Sequence, residues 1–173
     1  MAPPPATGLA SRPDCGRGAR DPLVARSWAY FDTSVLVKRY VEEDGAGQSR
    51  ALLGRHRLLS SAILPVEALA ALRRRRETRD LSEADFAAIL GRFQRDRVHW
   101  ELVDPTRIVL GRAEQLAGGQ GLRALDALHV ASALEFETST DLRVPFVTAD
   151  RRQREAAERA GLNVVWIGAA GRP

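Results

Sequence analysis

Cysteine and histidine are scarce in this chain of 173 residues. It contains a single cysteine, Cys15, and three histidines that share no motif spacing. One cysteine can form neither an internal disulfide nor a cysteine-rich metal site. Any metal chemistry in this protein must therefore rest on carboxylates.

Long apolar runs are also missing. No stretch approaches the roughly 20 apolar residues that span a bilayer, and the first residues lack the apolar core of a secretory signal. We therefore predict a cytoplasmic protein without membrane contact. The hydrophobic fraction of 45% is nevertheless large enough to fill the core of one domain.

Lysine is nearly absent, since Lys38 stands beside 25 arginines. The net charge of +4 suggests a polyanionic partner at first sight, but residues 28–168 carry 21 basic and 20 acidic side chains. Most of the excess positive charge thus lies in the tails. Only local clusters of arginine can indicate binding to nucleic acid.

The chain divides into three parts by composition. Residues 1–27 hold five of the nine prolines and show no hydrophobic period, which predicts a flexible extension. A start codon assigned upstream of the native one would also explain this segment. We predict one domain over residues 28–168 and a short tail over 169–173.

Within the domain, short apolar runs alternate with longer helical patterns, which is typical of a parallel sheet covered by helices. The predicted class is α/β. Ser61 is expected to cap a helix that begins at Ile63. The predicted strands span residues 27–31, 57–60, 99–103, 144–148 and 164–167.

Two of these strands end on an aspartate, namely Asp32 and Asp150. Ligands of open α/β sheets bind beyond the carboxyl ends of the strands, so both carboxylates are expected at one functional edge. An alternative remains open at each position, because aspartate is also among the best helix N-caps.

Two further acids lie in largely apolar helices. Asp126 is surrounded by ALDALHVA at residues 124–131, and Glu67 by LPVEALA at residues 64–70. A buried carboxylate needs a partner, a proton or a cation. The alternatives are an ordinary solvated residue at Asp126 and a surface stripe around Glu67.

Four carboxylates in one place would repel one another, and a hard divalent cation such as Mg2+ or Mn2+ would relieve that repulsion. A site of this kind supports hydrolysis of a phosphodiester. Thr33, Ser34 and Thr148 are candidate supporting hydroxyls, although turn chemistry explains each of them equally well.

The same residues resemble the motifs of the PIN-domain family. FDTSVLVK at residues 31–38 resembles the opening signature, and Glu67 stands where the family carries a helix-borne acid. ALDALHVASA at 124–133 and VTAD at 147–150 resemble the third and fourth motifs. The resemblance covers residues 28–168 and is specific because four motifs occur in the right order at the family's intervals.

The resemblance implies a three-layer α/β/α sandwich with a central, mainly parallel sheet and an Mg2+-dependent ribonuclease. Asp32, Glu67, Asp126 and Asp150 would be the catalytic and metal-binding residues, with Mn2+ able to replace Mg2+. At this size the resemblance further implies a VapC-type toxin that forms a homodimer, is inhibited by a VapB-type antitoxin and contacts DNA only through that antitoxin.

Arg151 and Arg152 follow Asp150, and Arg73 lies on the helix of Glu67, which makes these arginines candidate contacts for RNA or antitoxin. Solvated surface positions are the alternative. His129, three residues after Asp126, is interpreted as a structural residue in preference to a member of the site.

Two other functions remain open at this stage. One is a PIN-type nuclease in RNA processing or DNA repair, and the other is a non-catalytic module that binds RNA or protein on the same fold. A receiver-like signalling domain would also place an aspartate at a strand end, but it offers no role for acids on two internal helices.

Overall fold

The computed structural model describes residues 26–168, which form five strands and seven helices in an alternating order. The predicted tail and all but the last two residues of the predicted extension lie outside the described residues. The elements are β1 Trp28–Phe31, α1 Thr33–Tyr40, α2 Ala46–Arg55, β2 Arg57–Ser61, α3 Leu64–Glu77, α4 Glu83–Arg97, β3 Glu101–Val103, α5 Arg107–Gln120, α6 Ala124–Thr140, β4 Pro145–Thr148, α7 Arg151–Arg159 and β5 Asn163–Trp166.

The strands form one sheet in the order β3-β2-β1-β4-β5, and every neighbouring pair is parallel. This confirms the predicted α/β class with a central parallel sheet. The chain moves outward from β1 to β3 and then returns to the other side of β1 as β4. The order thus reverses between β1 and β4, which is where open α/β sheets bind their ligands.

Two hydrophobic cores lie on opposite faces of the sheet. Successive side chains of a strand point to opposite faces. Ala29 and Phe31 of β1 therefore join the core under α1 to α4, while Tyr30 joins the core under α5, α6 and α7. Leu58 and Leu59 of β2 divide in the same way. The result is the predicted three-layer sandwich.

The starts of α3 and α4 differ in whether a serine side chain caps the helix. Ser82 caps α4, because its Oγ accepts from the Asp85 amide at 3.0 Å and donates to the Asp85 carboxylate at 2.6 Å. The predicted cap at Ser61 is wrong. Ser61 pairs with Val103 as the last residue of β2, and α3 begins at Leu64 after an N-cap, Ile63, that makes no side-chain capping bond.

None of the helices described between residues 26 and 168 combines the length and apolar character needed to cross a bilayer.

Candidate active site

Asp32 and Asp150 lie at the same edge of the sheet, at the ends of the neighbouring strands β1 and β4. Each caps the helix that follows it. Asp32 Oδ1 accepts from the Val35 amide at 3.0 Å, and Asp150 Oδ1 accepts from the amides of Arg152 at 2.7 Å and Gln153 at 3.1 Å. The capping interpretation is therefore correct at both positions. In each carboxylate, Oδ2 takes no part in the cap.

Asp32 is fully buried, and no lysine or arginine of the described chain forms an ion pair with it. Its Oδ1 also accepts from Ser34 Oγ at 2.7 Å, and its Oδ2 accepts from Thr148 Oγ1 at 2.6 Å. Burial raises the pKa of Asp32, although the hydroxyls of Thr148 and Ser34 partly oppose this. The carboxylate is thus well oriented but lacks a balancing positive charge.

The same two hydroxyls connect Asp32 to the loop after β4. Thr148 Oγ1 accepts from the Asp150 amide at 3.0 Å, and Ser34 Oγ accepts from the Ala149 amide at 3.0 Å. Ser34 and Thr148 therefore do more than close a turn. They fix the position of the β4 loop relative to Asp32.

Glu67 lies in the first turn of α3 and faces α1 and α6. Its Oε2 accepts from Thr33 Oγ1 at 2.7 Å and lies 2.7 Å from His129 Nε2. Burial alone would raise the pKa of Glu67, but the hydrogen bonds and charge of His129 and the hydroxyl of Thr33 lower it below its ordinary value. His129 is buried, as its structural interpretation required, yet it also contacts the candidate site directly.

Asp126 lies in the first turn of α6, where it is half-buried. Its Oδ1 accepts from Gln153 Nε2 at 3.0 Å, while the backbone amide of Gln153 donates to Asp150. Gln153 thus joins two acids that are separated by 24 positions in the sequence. Thr148 and Gln153 thus connect Asp32, Asp150 and Asp126 through hydrogen bonds. Glu67 belongs to a separate hydrogen-bonded group with Thr33, the residue after Asp32, and His129.

The donor set fits a hard divalent cation. Like Asp32, Asp126 and Asp150 form no ion pair with a lysine or arginine of the described chain, so their charge is also uncompensated. Between residues 26 and 168, no three acidic, histidine or cysteine side chains are close enough to hold an ion on their own. This arrangement is compatible with Mg2+, which usually keeps several waters and binds through about one or two carboxylates.

Comparison with known proteins agrees with this geometry. Residues 29–159 match the family model described as PIN domain. The chain belongs to the PIN-domain family. The match includes both strand-end aspartates and both helix-borne acids.

Curated relatives of this PIN domain are VapC proteins. The chain is 33% identical to Ribonuclease VapC45 of Mycobacterium tuberculosis (strain CDC 1551 / Oshkosh) over 136 residues, covering 78% of this chain and 92% of that protein. The same figures hold for Ribonuclease VapC49 of Mycobacterium tuberculosis (strain ATCC 25618 / H37Rv). The chain is therefore a VapC-type member of its family.

Solved structures share the fold at low sequence identity. A chain of a toxin-antitoxin complex from Klebsiella pneumoniae superposes with a TM-score of 0.53 at 18% identity, over 79% of this chain and 95% of that one. PAE2754 from Pyrobaculum aerophilum gives a TM-score of 0.56 at 20% identity, over 82% and 90%. These likenesses establish the architecture.

The PIN domain carries a cavity of about 510 Å³ beside the acids, lined by Thr33 and Ser34 together with Lys38, Arg74 and Arg75. Arg73, which the sequence suggested, instead pairs with Glu77 on the exposed side of α3. Another cavity, of about 540 Å³, lies at the opposite end of the strands, next to residues 57 and 101.

The predicted contacts on α7 are exposed beside the site. Arg151 lies 3.9 Å from Glu155 with 85% of its side chain exposed, so their pairing is weak. Arg152 is also exposed and follows the capping Asp150 directly. Both side chains are free to reach a ligand at this edge of the PIN domain.

Two residues beside the candidate site were not predictable from the sequence pattern. Tyr30 looks like an ordinary core residue of β1, yet its hydroxyl lies 3.0 Å from His129 Nδ1. Gln153 looks like a surface residue of a charged helix, yet it is buried. The only signal in the sequence is that a polar residue at 153 falls on the apolar face shared with Ala156 and Ala157.

Proposed function

We propose that this chain is the ribonuclease toxin of a VapBC-type toxin–antitoxin pair, and that it hydrolyses RNA phosphodiester bonds with a divalent cation. Mg2+ is the expected cation, and Mn2+ is expected to replace it. The observation that carries the proposal is the fully buried and unpaired Asp32 at the reversal point of the sheet. Similarity to two proteins named ribonuclease over most of the chain supports it.

One or two such cations would be held among Asp32, Glu67, Asp126 and Asp150. When bound, a cation there polarises the phosphoryl oxygen and offsets the charge that develops on the leaving oxygen. The protein contributes orientation. Ser34 and Thr148 restrain both oxygens of Asp32, and Gln153 restrains Asp126 relative to α7. Oriented carboxylates need no rearrangement before the reaction.

We further propose that residues 28–168 form the catalytic PIN domain of a cytoplasmic homodimer. A VapB-type antitoxin would inhibit it, and any contact with DNA would pass through that antitoxin. Arg151, Arg152 and Arg73 remain proposed contacts for RNA or antitoxin. These proposals rest on the VapC-type relatives and on the exposed position of the three arginines.

Cleavage of a panel of structured and single-stranded RNAs tests the proposal. The purified protein is assayed with Mg2+, Mn2+ or EDTA beside Asp32→Asn and Asp126→Asn. Asp141→Asn is the matched control, because it makes the same change at the carboxyl end of α6, where aspartate occupies a left-handed cap that asparagine tolerates.

We expect cleavage with either cation and none with EDTA. In the two site variants the cleavage rate should fall at least about a hundredfold, as it does when groups that stabilise charge in a transition state are removed. The control should cleave like the wild type. Equal cleavage by folded Asp32→Asn and wild type would contradict the proposed site, and cleavage in EDTA would contradict the need for a cation.

A further inference from the structure

Glu67 is held from within the protein by a chain of polar groups that begins in the core. Tyr30 and His129 are both fully buried. The Tyr30 hydroxyl lies 3.0 Å from His129 Nδ1, and His129 Nε2 lies 2.7 Å from Glu67 Oε2. Three side chains on β1, α6 and α3 are thus connected across the interior of the molecule.

The ring positions of Tyr30 and His129 are fixed by packing. The Tyr30 ring stacks on Phe146 at 5.2 Å with an interplanar angle of 10°, and it meets the His129 ring edge-on at 6.0 Å. Burial raises the pKa of Tyr30 far above its ordinary range, so its hydroxyl keeps its proton. A protonated phenol can donate its hydrogen to a neutral imidazole nitrogen.

Hydrogen-bond chemistry restricts the protonation of His129. If Tyr30 donates to Nδ1, the ring must carry its hydrogen on Nε2, which then donates to Glu67. If the ring is an imidazolium, Nε2 again carries a hydrogen. The remaining tautomer would leave an Nε2 lone pair 2.7 Å from the Glu67 carboxylate and is therefore excluded. In both permitted states the Nε2 hydrogen faces Glu67 Oε2 at 2.7 Å, with Thr33 Oγ1 farther from Nε2 at 3.1 Å.

We propose that Tyr30 and His129 are positioning residues that fix the orientation of the Glu67 carboxylate. The inference rests on the proposed function, because Glu67 is one of the proposed cation ligands. Thr33 Oγ1 also donates to Oε2, so both hydrogen bonds from described side chains fall on the same oxygen. Oε1 accepts no hydrogen bond from residues 26–168 and stays available to a ligand.

The first experiment needs no metal. Protein labelled with 15N-histidine is examined by NMR in EDTA, with His129 assigned by its loss in His129→Gln. Wild-type His129 should show a proton on Nε2, and its nitrogen shifts should change in Tyr30→Phe and in Glu67→Gln. A proton on Nδ1 alone, or shifts that are indifferent to both substitutions, would overturn the proposal.

The second experiment measures binding of Mn2+ alone by titration calorimetry. Tyr30→Phe removes one hydroxyl and keeps the ring, and Tyr40→Phe is the matched control, because its hydroxyl donates to Asp96, which is not part of the site. We expect Tyr30→Phe to weaken binding by roughly tenfold, as for loss of a group that orients a metal ligand, and the control to match wild type.

Two further variants separate positioning from simple packing. His129→Gln can present an amide donor near the position of Nε2 and should retain most of the Mn2+ affinity, whereas His129→Leu should lose it. If Tyr30→Phe lowers the melting temperature but binds Mn2+ like wild type, the hydroxyl is only structural and the proposal is wrong. If wild type binds no Mn2+, the proposed function fails, and the NMR result alone decides whether Glu67 is held as proposed.

Discussion

Asp32 combines full burial with a charge that no cationic side chain of the described chain balances. An isolated buried carboxylate is strongly unfavourable, and hydrogen bonds from Ser34, Thr148 and the Val35 amide are what make it tolerable. The fold therefore keeps a destabilising charge at the site where a cation would neutralise it. At the residue scale, stability without metal depends on these few donors.

Thr148→Val tests that dependence. Valine keeps the shape but removes the hydroxyl that donates to Asp32 at 2.6 Å. Leaving a buried carboxylate oxygen without its donor should lower the free energy of unfolding by about 2 kcal/mol. Urea denaturation in EDTA measures this. Thr138→Val, on the exposed end of α6, is the control and should change stability by less than about 0.5 kcal/mol. Equal stability of the two variants would disprove the account of Asp32.

Arg74 and Arg73 are adjacent in sequence but differ in surroundings. Arg74 lines the cavity beside Thr33 and Ser34 and forms no ion pair within residues 26–168, while Arg73 pairs with Glu77. We expect Arg74→Gln to weaken RNA binding in EDTA and to reduce the salt slope of log affinity by about one. Arg73→Gln should leave the slope unchanged, because Arg73 pairs with Glu77 and its proposed contact would then be the antitoxin rather than RNA. Equal effects in both variants would show that the RNA does not enter this cavity.

At the scale of elements, the helices α1 and α7 begin on acids that also belong to the candidate site. One oxygen of Asp150 satisfies two amides of α7, so removal of the residue has two consequences. Capping would be compatible with cation binding at Asp150, because the cap uses Oδ1 and leaves Oδ2 for a ligand. Substitutions that keep only one of the two roles can separate them.

Asp150→Ser keeps a capping oxygen and removes the charge, whereas Asp150→Ala removes both. Serine is as good an N-cap as aspartate, so we expect Asp150→Ser to unfold within about 0.5 kcal/mol of wild type, and Asp150→Ala to lose about 1 kcal/mol. Urea denaturation and the RNA cleavage assay are run on both. Cleavage should be lost in both variants. A serine variant that cleaves at the wild-type rate would restrict Asp150 to capping.

The contact between α1 and α4 predicts how the stability of the protein changes at acid pH. Asp96 Oδ2 accepts from Arg39 Nε and Tyr40 Oη, each at 2.8 Å. Burial alone would raise the pKa of Asp96, but Arg39 and Tyr40 lower it below its ordinary value. A lowered pKa in the folded state stabilises the protein above the unfolded pKa of about 3.9, and this contribution disappears as the pH falls through the folded value.

Asp96→Asn should therefore lower the free energy of unfolding only at pH values above the folded and unfolded pKa of Asp96. Because both partners are partly exposed, we expect a loss of about 1 kcal/mol at pH 7. The difference from wild type should shrink below about pH 3.9. Urea denaturation at several pH values measures it, with Asp141→Asn as the control. A difference that is constant from neutral to acid pH would show that the interaction does not depend on the charge of Asp96.

At the scale of the whole molecule, the sheet order decides which acids meet. The reversal between β1 and β4 brings Asp32 and Asp150 together although 118 positions separate them. Alternating apolar strands and helical periods were enough to predict the class, the strands and the shared edge. Ser61 was misplaced because pairing with β3 outweighed its capping preference.

The contacts between elements could not be predicted from one sequence. Gln153 reaches Asp126 only because α7 packs against α6, and Tyr30 reaches His129 only because β1 lies under α6. Periodicity identifies which face of an element is apolar, but it does not identify the polar atom that the facing element presents. Glu67 and Asp126 could be proposed as site residues because a carboxylate in an apolar run needs a partner, and Asp32 and Asp150 because they follow strand ends.

Anomalous diffraction from crystals soaked in Mn2+ tests the central claim most directly. We predict a Mn2+ peak within about 2.5 Å of carboxylate oxygens of both Asp32 and Asp126, with water completing the coordination, and no such peak in Asp32→Asn crystals. A peak confined to other acids, with the edge between β1 and β4 empty in well-ordered crystals, would contradict the assignment of these residues as the metal site of the nuclease.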